Sequence, residues 1–104
     1  MIIYNTTFHI DNEVKEEGVA YLKEVYLPEA ADSGALQNPL LRRIIQEEVG
    51  EGVNYSVQFH VKDIDALNRW LESEGRLLQQ KLMTRFGYKI AGFTTLLEEI
   101  DWKK

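Results

Sequence analysis

Residues 2–10, Ile-Ile-Tyr-Asn-Thr-Thr-Phe-His-Ile, carry β-branched and aromatic side chains with no glycine or proline, which predicts a strand. One parity holds Ile2, Tyr4, Thr6, Phe8 and Ile10; the other holds Ile3, Asn5, Thr7 and His9. Successive strand residues point to opposite faces, so these are two different surfaces. Asp11-Asn12-Glu13 marks a helix start, a capping oxygen followed by an acid. Val14, Gly18, Tyr21, Leu22 and Val25 recur at helical spacing as the core stripe of a first helix. Pro28 ends that helix or opens a further turn. Pro39 to Glu48 predicts a second strand, and Gly50-Glu51-Gly52 the turn of a hairpin. Beyond the turn, Val53, Tyr55, Val57, Phe59 and Val61 alternate with Asn54, Ser56, Gln58, His60 and Lys62, the clearest strand pattern in the chain. Asp63 caps a second helix with apolar positions from Ile64 through Trp70, Leu78 and Leu82 to Phe86, closed by Gly87. Such a helix is a rod of about 34 Å. Tyr88 to Trp102 predicts the last strand, with Gly92 as a bulge.

The order strand, helix, strand, strand, helix, strand is the split βαβ plan of an α+β, ferredoxin-like βαββαβ domain. One domain over residues 1–104 is expected, with a four-stranded antiparallel-type sheet and both helices on one face. The first and third strands are expected side by side and parallel. The helices then cover the apolar parity, and Tyr4, Phe8, Tyr55, Val57 and Phe59 point inward.

The opposite face carries Asn5, Thr7, His9, Ser56, Gln58 and His60, polar and mostly uncharged. The outer strands add apolar residues to both faces through Ile44-Ile45 and Leu96-Leu97. A polar middle with apolar flanks predicts a covered face, and a second copy of the chain is the simplest cover. A homodimer enclosing a polar pocket is therefore expected. Parallel neighbouring strands would bring His9 and His60 within reach of each other. These two histidines and Asn5 are the candidate catalytic residues; Thr7, Ser56 and Gln58 are candidate ligand-binding residues. Asp11 shares the parity of His9, but its place before the helix assigns it to capping, and no metal or other cofactor is expected.

Charge and composition narrow the partners. Twelve basic and 17 acidic side chains give a net charge of −5, which disfavours nucleic acid and anionic membranes. There are no cysteines, which excludes disulfides, zinc–thiolate sites and thiol catalysis. No apolar run approaches the roughly 20 residues of a membrane helix, and the first residues lack a signal peptide's basic start. A cytoplasmic location is expected.

The segments Met1-Ile2-Ile3-Tyr4-Asn5-Thr6-Thr7-Phe8-His9, Leu22-Lys23-Glu24-Val25-Tyr26-Leu27-Pro28-Glu29-Ala30, Tyr55-Ser56-Val57-Gln58-Phe59 and Arg85-Phe86-Gly87 with Gly92-Phe93 resemble a family of small uncharacterised proteins known as a domain of unknown function. That resemblance implies the ferredoxin-like fold and brings no catalytic residues. More broadly, the chain is similar to the dimeric α+β barrel proteins, which include cofactor-free monooxygenases and haem-degrading enzymes. Several of these use a first-strand asparagine with a tryptophan and a histidine near the cavity. Asn5 and Trp70 stand in corresponding places, and no histidine follows Trp70. The expected function is a homodimer binding a small ligand or protein partner at the covered sheet face. The alternative is a cofactor-free monooxygenase- or isomerase-like enzyme using His9, His60 and Asn5 between sheets.

Overall fold

The computed structural model describes residues 1–45 and 52–103. Four strands form one sheet: β1 (Ile2–Asp11), β2 (Gln37–Arg43), β3 (Gly52–Val61) and β4 (Ile90–Glu98), in the order β2-β3-β1-β4. Every neighbouring pair is antiparallel. This corrects the expected parallel pairing of the first and third strands. The helical crossover makes β1 and β2 run the same way; β3 turns back from β2, so β3 must run against β1. The ferredoxin-like α+β architecture stands. The hairpin turn at residues 50–52 and the Glu47, Glu48 part of the second strand lie, except for Gly52, outside the described residues.

The strand parities sort as the pattern predicts. Tyr4, Phe8 and Ile10 of β1 and Val57, Phe59 and Val61 of β3 are buried under the helices, and Tyr55 is half-buried against them. The last strand begins later and ends earlier than expected. Gly87–Lys89 form a 3-10 turn, and pairing stops at Glu98. Gly92 is not a bulge: it pairs directly with Phe8 in an unbroken register. A Cβ there would sit 3.0 Å from the Phe8 ring, so the glycine makes room for that ring. The actual irregularity is on β2 between Gln37 and Leu40, where Asn38 adopts a φ of 53°.

The first helical layer is one rod of changing pitch. Asp11 accepts the Glu13 amide at 2.8 Å and starts it. Helix α1 (Lys15–Tyr21) widens into a π turn (Leu22–Tyr26) and continues as α2 (Leu27–Asp32). Pro28 has no N–H, and its ring would press on the carbonyl four residues back. The wider turn just before it, with the Leu27 amide bonded to the Leu22 carbonyl, accommodates that defect. The second layer breaks at Ser73 into α3 (Ile64–Glu72) and α4 (Glu74–Phe86), so three rods stand where two were expected. Asp63 caps α3 by accepting the Ala66 amide, and Gly87 ends α4 at a φ of 61°. Ser73 sends its hydroxyl to the Arg69 carbonyl at 2.7 Å and closes the end of α3.

Across the break, the Trp70 ring lies on Gly75. A Cβ at position 75 would come within 2.6 Å of the indole ring, which is itself nearly fully buried. Gly75→Ala is therefore expected to destabilise the protein by about 1–3 kcal/mol in urea unfolding, through overpacking. Replacing a helical glycine by alanine ordinarily stabilises by up to about 1 kcal/mol, so a gain in stability would show that the indole yields freely.

Candidate functional site

The polar face expected to hold the site contains a hydrogen-bonded centre. Asn5 and its neighbours lie in the middle of β1, where strands flank both sides. The Ser56 hydroxyl donates to the Asn5 carbonyl oxygen at 2.6 Å, and the Asn5 amide donates to the Thr7 hydroxyl at 3.3 Å. These bonds, with the cross-strand neighbours Gln58 and Thr95, leave Asn5 only 9% exposed. Gln58 is tied sideways, accepting from Arg42 at 3.1 Å. Asn5, Thr7 and Ser56 thus satisfy one another, and none of them lines the cavity described below.

The two histidines do not meet. Both lie on this face, yet the antiparallel register puts His9 opposite Asn54 and His60 opposite Ile3. Six residues of β3 separate those levels, which is about 20 Å along the strand. Each ring is held by an amide instead. His9 Nδ1 donates to Asn54 Oδ1 at 2.7 Å, and Asn38 Nδ2 donates to His60 Nδ1 at 3.0 Å. A shared His9–His60 centre within one chain is therefore excluded by chain direction, and Asp11 is occupied as a helix cap. The described residues hold no group of three or more His, Asp or Glu side chains arranged to bind a metal.

A cavity lies on the opposite side of the sheet. The helices cover β3 and β1 and reach β4 at Ile90, but leave the inner face of β4 bare beyond that residue. Gly92, Thr94 and Leu96 are exposed there. Beneath the helices this leaves a cavity of about 310 Å³. Its floor is the cross-strand pairs Thr6–Thr94 and Phe8–Gly92. Trp70, Gly75, Gln79 and Leu82 form its roof, and Tyr4, Tyr26 and Ile90 its inner wall. Leu71, Met83 and Tyr88 stand at the rim with much of their apolar surface in water; Tyr88 is 92% exposed.

Packing positions the roof and the wall. The Trp70 ring meets Tyr4 edge-on at 6.1 Å, and Tyr26 meets Phe8 edge-on at 5.5 Å. The Trp70 indole N–H is buried with no hydrogen-bond partner among the described residues. Burial, and then the neighbouring Tyr4 phenol, push the Tyr26 hydroxyl well above the ordinary tyrosine range, so it stays protonated. Every lining side chain is uncharged.

Tyr4, Phe8, Trp70 and Leu82 are core positions in the sequence pattern, which does not show that they surround a cavity. Three signals were present: Thr6 interrupts an apolar parity, Gly92 interrupts a strand, and Gly75 interrupts a helical stripe. Asn5 and Trp70, paired by resemblance, lie on opposite sides of the sheet, because Asn5 takes the outward parity.

The chain belongs to the family described as Domain of unknown function (DUF4286), whose model matches residues 1–100. Among curated proteins, none matches it in sequence. In shape it is similar to an ethyl tert-butyl ether d (ethd) family protein from Bacillus halodurans. That match has 17% identity and a TM-score of 0.72, over 96% of this chain and 100% of the other. It is also similar to a candidate antibiotic biosynthesis monooxygenase from Deinococcus radiodurans, with 12% identity and a TM-score of 0.69 over 100% and 97% of the chains. A dimeric ferredoxin-like protein from an uncultured marine organism matches at 14% identity and a TM-score of 0.64, over 95% and 97%. At these identities the likeness is one of fold. No helix among the described residues is long and apolar enough to cross a membrane.

The separation of the histidines predicts independent effects. His9→Ala and His60→Ala should change unfolding free energy additively, with a coupling below about 0.5 kcal/mol in a double-mutant cycle measured on the monomer. A larger coupling would contradict the antiparallel register.

Proposed function

We propose that this protein is a homodimeric binding protein in which each protomer takes one small, mainly apolar molecule into the cavity between sheet and helices. The observation that carries this reading is the cavity itself, roofed by Trp70 and left open by the uncovered half of β4. Its volume lies at the lower end of the roughly 300–1,000 Å³ usual for ligand pockets. It is about twice the ~150 Å³ cavity that takes up benzene in an engineered protein, which suits a two-ring skeleton.

Dimerisation is assigned to the outer face of the sheet. Phe93, Leu97 and Leu40 are each more than 40% exposed there, around the Asn5–Ser56–Thr7 centre. Between the strand ends, Arg42 is the one charge that the described strand residues give this face. The dimeric ferredoxin-like neighbour supports the same reading. Thr7, Ser56 and Gln58 then serve the interface rather than a ligand. The enzyme alternative fits less well. A proton-moving group is wanted in the pocket, and the described lining holds no histidine, carboxylate or amine.

Two measurements test these assignments. Tetralin, a two-ring hydrocarbon, is expected to bind at one per protomer by titration calorimetry. Thr94→Trp, at an exposed floor position, should weaken it at least tenfold without changing the circular dichroism. Absence of saturable binding would overturn the ligand reading. Phe93→Asp should convert a dimer to a monomer in analytical ultracentrifugation at micromolar concentration; a wild-type monomer would overturn the interface.

A further inference from the structure

The chemistry of the cavity wall restricts its occupant beyond size. The wall carries no charge, so an ionised ligand would enter without a counter-charge and lose its hydration. Its polar groups lean towards donation. The Trp70 indole N–H can only donate and has no partner among the described residues. The Tyr4 and Tyr26 phenols line the cavity as buried neighbours, placed to hydrogen-bond each other, and none of the other described side-chain hydrogen bonds uses either hydroxyl. Burial also keeps Tyr26 a phenol, never a phenolate, in the accessible pH range. Two adjacent O–H groups can satisfy at most one of each other's hydrogens, which leaves at least one hydrogen to give away.

We infer that the occupant is an uncharged two-ring molecule presenting a carbonyl oxygen to the Tyr4–Tyr26 pair. This rests on the binding reading above and specifies its ligand class. A carbonyl accepts without donating, which matches a wall with a hydrogen to spare. A hydrocarbon of the same shape leaves that hydrogen unpaired. A carboxylate accepts as well but must be desolvated as an ion.

Three ligands on one skeleton test this at pH 7 by titration calorimetry: 1-tetralone, tetralin and tetralin-1-carboxylate. The ketone should bind roughly three- to tenfold more tightly than the hydrocarbon, the ratio expected of one hydrogen bond. It should bind at least tenfold more tightly than the carboxylate. In Tyr4→Phe/Tyr26→Phe, checked for folding by urea unfolding, the ketone should fall to the hydrocarbon's affinity while the hydrocarbon is unchanged. Equal binding of ketone and hydrocarbon to the native protein, or tightest binding of the carboxylate, overturns the carbonyl inference and leaves the cavity as a binding site. No binding of any of the three overturns both.

Discussion

Strand β1 is hydrogen-bonded along its length to β3 on one side and to β4 on the other, and its ten residues divide the molecule. A strand so placed has no freedom to slip, since a shift of one residue would exchange its two faces. Tyr4, Phe8 and Ile10 are thereby committed to the helices, and Asn5, Thr7 and His9 to the opposite surface. The cavity, the polar centre and the separation of the histidines all follow from that alternation together with the direction of β3.

The two surfaces then meet different demands. On the helix side, burial is nearly complete over β3 and β1, with Phe59, Val57 and Ile10 almost shut off from water. It fails over β4 beyond Ile90, where the edge strand runs out from under the rods, and two glycines let the Phe8 and Trp70 rings lie directly against backbone there. On the outer side, short polar side chains bind one another across the strands and present little charge. Such a surface loses little when a second sheet covers it.

Much of this was legible in the chain. Period-two alternation over 53–61 and 2–10 located the central strands and their inward faces, and Asp11, Asp63 and Gly87 marked helix ends where they fall. Strand direction was not legible from the side chains, because alternation is the same whichever way a strand runs. It follows from the connections, which set His60 and His9 at opposite ends of the β1–β3 pairing. The break at Ser73 was hidden because Leu67, Trp70 and Leu78 keep a helical rhythm across it. The cavity was hidden for another reason: it is made by residues that fail to fill space, and hydrophobic patterning reports only those that do.

The wide turn before Pro28 has a consequence of its own. One residue beyond the usual helical count is inserted there, so everything upstream is rotated by about 100° relative to everything downstream. Leu22 faces the core before the insertion, and Tyr26 and Ala30 keep that orientation after it. A relative of this chain one residue shorter in the turn would swing a different side chain into the inner wall. Length variation at a single helical turn is thus a route by which the inner wall of the cavity can change while the sheet stays unaltered.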